Sequence, residues 1–211
     1  MADFQQILAS PVAAYQEGLR FFMKQGILHD TLRRVARDLE TRGIDYAVIG
    51  AVALNAHGYR RFTEDIDLLM TRDGLEKFNT ELIGVGYRPL FAGARKRFRE
   101  TQDNVTVEII VAGEFPGDGL PKPVEFPVPG DVAIEIDGIK TLSLKKLIEL
   151  KLASGMTAPH RLKDLADVQE LIKIKNLDAD FVESLNPYVR EKFLELAHSV
   201  ADAHGDGESE N

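Results

Sequence analysis

The chain has 211 residues, 44% of them hydrophobic, no cysteine and a formal net charge of −8. This length suits one domain, or one domain with a helical annex. The missing thiols exclude disulfides, thiol catalysis and thiolate metal sites, and the negative charge argues against a protein that coats nucleic acid. Because no apolar run approaches the roughly 20 residues that span a bilayer, and no signal peptide is visible, we expect a cytoplasmic protein with no membrane partner.

Helical and strand patterns alternate in the first half of the chain. Ser10-Pro11 supplies a capping hydroxyl and a first-turn proline, and Gly43 and Gly86 can each end a helix. The predicted elements are a helix from Ser10 to about Lys24 within an N-terminal helical segment of residues 1–27, a helix over Asp30–Thr41, a strand over Tyr46–Ile49, a short helix from Gly50 through His57, a strand over Asp65–Met70, and a helix over Asp73–Val85 with Val85 facing inward.

The second half begins with strands and ends with helices. Thr101-Gln102-Asp103-Asn104 is typical of a turn, so Arg95–Glu100 and Val105–Val111 are predicted to form a hairpin. Residues 113–130 are predicted to form a long ordered loop or a lid. An edge strand around Val124–Phe126 is an alternative within this segment. The remaining predicted elements are a hairpin of Val132–Ile136 with Ile139–Leu142 and helices over Ser143–Ser154, Pro159–Lys175, Asp178–Leu185 and Pro187–Ala203.

These elements predict four segments. After the N-terminal helix of residues 1–27 comes an α/β core over residues 28–142. A C-terminal helical region follows over residues 143–205, and residues 206–211 are predicted to be a disordered tail because they are polar and contain glycine.

Two closely spaced carboxylates are the main indication of function in this sequence. Asp65 and Asp67 are two residues apart on a predicted strand, so they point to the same face and lie ~7 Å apart along it. The strand upstream ends at Gly50 and turns into a helix, an arrangement that presents free N–H groups to an anion. On a neighbouring strand, Glu108 lies opposite the apolar face. Three acids beside a phosphate cradle indicate two-metal phosphoryl or nucleotidyl chemistry, provided that Glu108 lies beside the aspartate pair.

The ordered set of these motifs resembles the nucleotidyltransferase superfamily with the polymerase-β-like fold. The family's pattern is a Gly-Gly or Gly-Ser turn, an Asp-x-Asp between apolar residues, and a later single acid between apolar residues. The matching segments are Gly50-Ala51, Arg61-Phe62-Thr63-Glu64-Asp65-Ile66-Asp67-Leu68 and Val107-Glu108-Ile109, and together with Arg161-Leu162-Lys163-Asp164-Leu165-Ala166-Asp167 they are similar to the minimal and abortive-infection toxin branches. The resemblance implies an α+β fold, with a mixed β-sheet core, helices packed on it and a C-terminal helical region.

The resemblance also implies an activity. It is the metal-dependent transfer of a nucleoside monophosphate from a nucleoside triphosphate to a hydroxyl acceptor, with pyrophosphate release. Asp65, Asp67 and Glu108 would be catalytic and would hold two Mg²⁺ ions, or Mn²⁺ in their place. The acceptor would be transfer RNA, a partner protein or a small hydroxyl compound. Ala51 departs from the family's Gly or Ser, since its N–H can still donate to a phosphate but a serine hydroxyl contact is lost.

Seven residues form the predicted nucleotide-binding set. Arg97 and Arg99 alternate along their strand, and they fall on the Glu108 face because the opposite face would bury unpaired charge. Lys151 resembles a lysine that relatives point at nucleotide phosphates, although an isolated lysine is more often a surface residue. The full set is Gly50, Ala51, Arg61, Thr63, Arg97, Arg99 and Lys151.

Two other functions stay open. A non-catalytic module that acts by protein binding, for example in a toxin–antitoxin pair, is mildly favoured by Ala51 and by the acidic surface. A metal-dependent phosphate ester hydrolase could use the same acids. Asp164 and Asp167 lie three residues apart on one helix face. They are predicted to pair with Arg161 or Lys163, and their part in the function is left open.

Overall fold

The structure, a computed structural model, describes residues 3–205 apart from the side chains of residues 179 and 203–205. The predicted tail over residues 206–211 lies outside the described residues. The strands are β1 (Tyr46–Val48), β2 (Asp65–Met70), β3 (Tyr87–Pro89), β4 (Arg97–Glu100), β5 (Thr106–Val111), β6 (Ala133–Ile136) and β7 (Ile139–Leu142). The helices are α1 (Phe4–Ala9), α2 (Pro11–Phe22), α3 (Ile27–Thr41), α4 (Gly50–Ala56), α5 (Arg72–Glu81), α6 (Pro129–Val132), α7 (Leu144–Thr157), α8 (Leu162–Lys175), α9 (Ala179–Ser184) and α10 (Pro187–Gly205).

The seven strands form one mixed sheet in the order β3-β4-β5-β2-β1-β7-β6. The central strand β2 runs antiparallel to β1 and parallel to β5, while β4 and β5 form the predicted antiparallel hairpin. Strands β2 and β5 are parallel neighbours in register, so a polar position on one strand meets a polar position on the other. The α+β fold predicted from the sequence is confirmed.

Each face of the sheet is covered by its own hydrophobic core. On one face, apolar residues of α3 and α5 pack against alternate positions of the central strands, among them Ile66 and Leu68 of β2 and Val107 of β5. On the other face, Leu69 joins apolar residues of α7, α8 and α10. Because successive residues of a strand face opposite sides, Asp65 and Asp67 share the side of Leu69, which the C-terminal helices cover.

Several element boundaries differ from the prediction. The N-terminal segment holds two helices, α1 and α2, because Asp3 caps the first and Pro11 begins the second. Helix α5 ends at Glu81, so Val85 does not face inward but is 61% exposed. A short strand, β3, follows it and was missed, since three residues carry too little pattern to be recognised. No strand forms at Val124–Phe126, although Phe126 exchanges two backbone hydrogen bonds with Gly113 and Glu114.

Within the described residues, no helix is both long enough and apolar enough to cross a bilayer.

Candidate active site

One cavity brings most of the predicted site residues together. It has a volume of about 340 Å³ and lies between the sheet face of the acids and helix α7. Eight of the ten predicted residues line it, and these are Gly50, Ala51, Arg61, Thr63, Asp65, Asp67, Glu108 and Lys151. Arg97 and Arg99 are not among the residues that line it. Residues from three different parts of the chain thus line the same cavity.

The three acids share one face of two adjacent strands. In the register of β2 and β5, Asp67 pairs with Glu108 and Asp65 pairs with Thr106. Burial, together with repulsion from Glu108 and Asp65, raises the pKa of Asp67 to about 6. Burial is the larger cause of this shift, and the neighbouring carboxylates add to it because like charges disfavour the ionised form.

The turn at Gly50 shapes the floor of the cavity. Gly50 has a φ of +62°, a left-handed conformation that favours glycine. A Cβ at this position would lie 2.0 Å from Oδ2 of Asp67, so the aspartate carboxylate is seated directly against the glycine backbone. The first N–H groups of α4, beginning at Gly50 and Ala51, have no acceptor within the helix. The backbone N–H donors at the start of α4 and the carboxylate of Asp67 therefore border the same part of the cavity.

The two arginines of β4 have different surroundings. Arg97 pairs with Glu108 in the hairpin register, and its Nε lies 3.5 Å from Oε2 of Glu108. Arg99 pairs with Thr106 and donates from Nη1 to the carbonyl oxygen of Asn104 at 2.7 Å. Arg97 therefore reaches an acid of the site, whereas Arg99 is directed to the turn of the hairpin.

Lys151 is buried, so the alternative that it is an ordinary surface lysine is wrong. The residue is 8% exposed, and its Nζ donates to Asp164 at 2.8 Å and to Asp167 at 2.7 Å. Asp164 also accepts a hydrogen bond from the hydroxyl of Ser154 at 2.7 Å. Although burial acts to raise it, attraction to Lys151 and the hydrogen bonds from Lys151 and Ser154 hold the pKa of Asp164 below its ordinary value. The predicted partner Arg161 makes only a longer contact of 3.8 Å with Asp164.

Arg61 joins the same charged group from the segment before β2. Its guanidinium forms a salt bridge with Asp167. The side chain of Asn55 fixes its backbone, donating to the carbonyl oxygen of Arg61 at 2.5 Å and accepting from its N–H at 3.1 Å. We call Arg61, Lys151, Asp164 and Asp167 the cavity charge cluster. Its two positive and two negative charges balance.

Comparison with solved structures places this architecture among known folds. The solution structure of the antibiotic-resistance factor ANT(2'')-Ia has a TM-score of 0.50 at 18% identity, with 80% of this chain and 95% of that chain covered. A crystal structure of ANT(2'')-Ia in complex with adenylyl-2''-tobramycin also has a TM-score of 0.50, at 16% identity over 83% of this chain and 97% of that chain. An antigenic nucleotidyltransferase-like protein from Paracoccidioides brasiliensis is similar at 21% identity and a TM-score of 0.46, over 69% of this chain and 75% of that chain.

The chain has the nucleotidyltransferase fold. The resemblance noted in the motifs is thereby confirmed at the level of the fold. No protein-family model and no curated protein matches the sequence.

The donors that the nucleotidyltransferase fold gathers suit a hard cation. Asp65, Asp67 and Glu108 offer only carboxylate oxygens, which are the ligands that Mg²⁺ prefers. Within residues 3–205, however, no three acidic or histidine side chains converge closely enough to hold a metal ion as they stand. The carboxylate of Glu108 lies 3.5 Å from Nε of Arg97. The residue types of the three acids nevertheless fit the metal.

Further residues of the cavity were not predicted from the sequence. Ser154 lies one helical turn after Lys151, and this spacing could have revealed it. Pro116 and Phe126 come from the loop over residues 113–130 and form another wall. Lys122 ties this loop to itself and to α7, since its Nζ donates to the carbonyl oxygen of Pro116 at 2.5 Å and to the Thr157 hydroxyl at 3.4 Å. The loop is thus an ordered wall of the cavity.

Proposed function

We propose that this protein transfers a nucleoside monophosphate from a nucleoside triphosphate to a hydroxyl acceptor and releases pyrophosphate. One observation carries the proposal. Asp65, Asp67 and Glu108 share one sheet face and line a cavity whose floor, at Gly50, leaves no room for a side chain. The fold, shared with ANT(2'')-Ia, supports the same conclusion at low identity.

The acids would hold the metal. Asp65, Asp67 and Glu108 would bind two Mg²⁺ ions, or Mn²⁺, which when bound neutralise charge on the phosphate and acceptor oxygens. Glu108 is also placed to accept the proton of the acceptor hydroxyl. For both roles it must release Arg97, whose guanidinium then becomes available to an anion.

The phosphates would meet the opposite wall. The N–H groups of Gly50 and Ala51 would donate to the terminal phosphates of the triphosphate. Arg61 and Lys151 supply positive charge, and Thr63 supplies a hydroxyl near Asp65. Because Lys151 is already paired with two aspartates, a triphosphate would have to compete with them for its ammonium group.

The nature of the acceptor follows from charge and fold. A net charge of −8 disfavours transfer RNA, so a small hydroxyl compound or a protein fits better. A structure of ANT(2'')-Ia, which has the same fold, contains adenylyl-2''-tobramycin, and this favours the small hydroxyl compound. A reaction that uses nucleoside triphosphates is expected in the cytoplasm.

Calorimetric titration with ATP and Mg²⁺ tests the proposal. The wild-type protein should bind ATP only when Mg²⁺ is present, and the Asp65→Asn variant should lose that binding. Glu64→Gln is the matched control, because Glu64 is an exposed carboxylate next to Asp65 that does not line the cavity. Magnesium-dependent binding that survives in Asp65→Asn would refute the metal role of the acids.

Product analysis with α-labelled ATP then separates two reactions that use the same acids. Label transferred to an acceptor together with free pyrophosphate supports nucleotidyl transfer. Release of unlinked phosphate or free nucleoside monophosphate without an acceptor would instead identify a hydrolase.

A second candidate is a non-catalytic module that acts by protein binding, as in a toxin–antitoxin pair. The specific observations in its favour are that Glu108 is engaged by Arg97, that Lys151 is neutralised by Asp164 and Asp167, and that Ala51 stands in the turn. This candidate predicts no magnesium-dependent ATP binding in the wild-type protein, so the same titration decides between the two.

A further inference from the structure

A second cavity lies beside the short helix α4. Its volume is about 340 Å³, similar to that of the acid-lined cavity. Helix α4 contributes Val52, Asn55 and Ala56 to this second cavity and Gly50 and Ala51 to the other, so a single helix borders both. None of the three predicted acids lines the second cavity, so nothing in the proposed reaction accounts for it.

The lining of the second cavity combines apolar and aromatic residues with polar and charged ones. Phe21 and Phe22 contact each other edge to face at 5.4 Å between ring centroids, and Phe22 remains 37% exposed. Leu32 of α3 and Ile136 and Ile139 of the β6–β7 hairpin complete the apolar walls. A concave, mostly apolar site of a few hundred Å³ with a few polar groups is the usual form of a small-ligand pocket.

The polar groups of this cavity are predominantly basic. Lys24 forms a salt bridge with Asp137, and Arg33 pairs with Asp30 at 3.0 Å. Arg60 is exposed, and no salt bridge of its guanidinium is found among the described residues. A free positive charge beside an apolar pocket is notable in a protein whose net charge is −8.

The remaining titratable group adds no charge. His29 is partly buried and its Nε2 lies 3.0 Å from the carbonyl oxygen of Phe21. Burial lowers the pKa of His29, so its ring is neutral near pH 7. The unpaired charge that a ligand meets in this cavity is therefore the guanidinium of Arg60.

We propose that the second cavity binds a small amphipathic anion, with a flat aromatic or aliphatic body between Phe22 and the isoleucines and an acidic group at Arg60. The apolar walls supply the affinity of such a ligand through burial, and the guanidinium selects the negative charge. The inference is independent of the proposed nucleotidyl transfer, because it needs neither metal nor triphosphate.

Fluorescence titration of the full chain with anilinonaphthalene sulfonate tests this proposal. We expect saturable binding at one site per chain. The uncharged analogue phenylnaphthylamine, which has the same aromatic body, should bind about threefold to tenfold more weakly, since it forgoes the charge-assisted contact. Equal affinity for the two probes would overturn the selection of anions.

Variants then locate the bound probe. Arg60→Gln should weaken the sulfonate probe by about threefold to tenfold and leave the neutral probe unchanged. Arg37→Gln, an exposed arginine on α3 that does not line the cavity, is the matched control and should change neither. Ala56→Trp should fill the cavity and abolish binding of both probes, and cooperative urea unfolding of each variant shows that it is folded.

An apolar surface on α2 offers the probe a different place to bind. Tyr15 and Leu19 of this helix are 69% and 49% exposed. If Leu19→Ser abolishes probe binding while Arg60→Gln leaves it intact, the probe binds that surface and the cavity proposal is refuted. The reverse pattern supports the cavity.

Discussion

Two buried charge clusters in this protein have similar chemistry and different surroundings. In the first, which we call the hairpin charge cluster, Arg34 of α3 pairs with Glu100 at 3.4 Å and with Asp103, which also accepts from the Thr31 hydroxyl at 3.2 Å. In the second, the cavity charge cluster, Arg61 pairs with Asp167. The Nε atoms of Arg34 and Arg61 are both buried without a hydrogen-bond partner among the described residues.

What differs is access to a cavity. The hairpin charge cluster connects α3 to the β4–β5 turn, and none of its members lines the acid-lined cavity, whereas Arg61, Lys151 and Asp164 do line it. A charge that faces a cavity can exchange its partner for a ligand. The side chains of Arg34 and Arg61 are similarly exposed, at 25% and 21%, so the two clusters differ in access to the cavity rather than in burial. Burial and ion pairing therefore do not by themselves identify a functional residue.

The largest expected effect on stability comes from breaking the hairpin charge cluster. Arg34→Met leaves the carboxylates of Glu100 and Asp103 buried without their cation, which costs about 3–5 kcal/mol in the free energy of unfolding. Urea denaturation measures this loss. The affinity for ATP with Mg²⁺, measured on the folded fraction, should not change.

The corresponding change in the cavity charge cluster should reduce stability less and ATP affinity more. In Lys151→Met, Arg61 still pairs with Asp167 and Ser154 still donates to Asp164, so the loss of stability is smaller, about 1–3 kcal/mol. Affinity for ATP with Mg²⁺ should fall about tenfold or more if Lys151 makes the proposed charge-assisted phosphate contact. Unchanged ATP affinity in Lys151→Met, together with reduced affinity in Arg34→Met, would reverse the assignment of the two clusters.

A side chain at Gly50, on the floor of the cavity, should also destabilise the protein. Gly50→Ala should cost about 2–4 kcal/mol in the free energy of unfolding, from a left-handed alanine and a clash with Asp67. Gly84→Ala is the control, since Gly84 has a φ of +83° with nothing within 4 Å of its added Cβ. It should cost only about 1 kcal/mol. Equal losses by thermal or urea denaturation would show that the contact between Gly50 and Asp67 is unimportant.

A pH titration of Asp164 tests how Lys151 affects its pKa within the cavity charge cluster. The pKa of Asp164 lies below the ordinary value because Lys151 and Ser154 favour its charged form against the effect of burial. Its contribution to stability is therefore present above the ordinary pKa and is lost as the pH falls through the lowered one. In Lys151→Met the burial remains without the cation, so the pKa of Asp164 should rise, as carboxyl carbon NMR would show. A pKa that stays low would mean that Ser154 and Arg161 suffice without Lys151.

The smallest expected effects separate the two arginines of β4. Arg99→Ala should leave ATP affinity within about twofold of wild type, because Arg99 binds the turn at Asn104. Arg97→Ala frees Glu108 and should change magnesium affinity by about twofold to fivefold. Isothermal titration with Mg²⁺ alone and with ATP distinguishes the two. A strong loss of ATP binding in Arg99→Ala would instead support the nucleotide-binding role that was predicted for Arg99 from the sequence.

The alternation of residues along the strands and the residues typical of turns predicted much of the fold from the sequence. Strand alternation predicted that Asp65 and Asp67 share one face, and the cost of burying unpaired charge predicted that Arg97 lies on the same face as Glu108, which the strand register shows. The fold class followed from the order of these motifs. Boundaries were less accurate where local signals were weak, as at Val85 and at β3.

Local sequence patterns were sufficient to predict that Asp65 and Asp67 share one strand face and that a bend at Gly50 precedes them, because alternation along a strand and the conformational demand at a glycine act over neighbouring residues. Local patterns could not predict that Lys151 is buried between Asp164 and Asp167, that Arg99 donates to the hairpin turn, or that a second cavity borders α4. These features depend on how α2, α7 and α8 pack against the sheet. Such packing brings together residues distant in sequence, and no local pattern records their final distances.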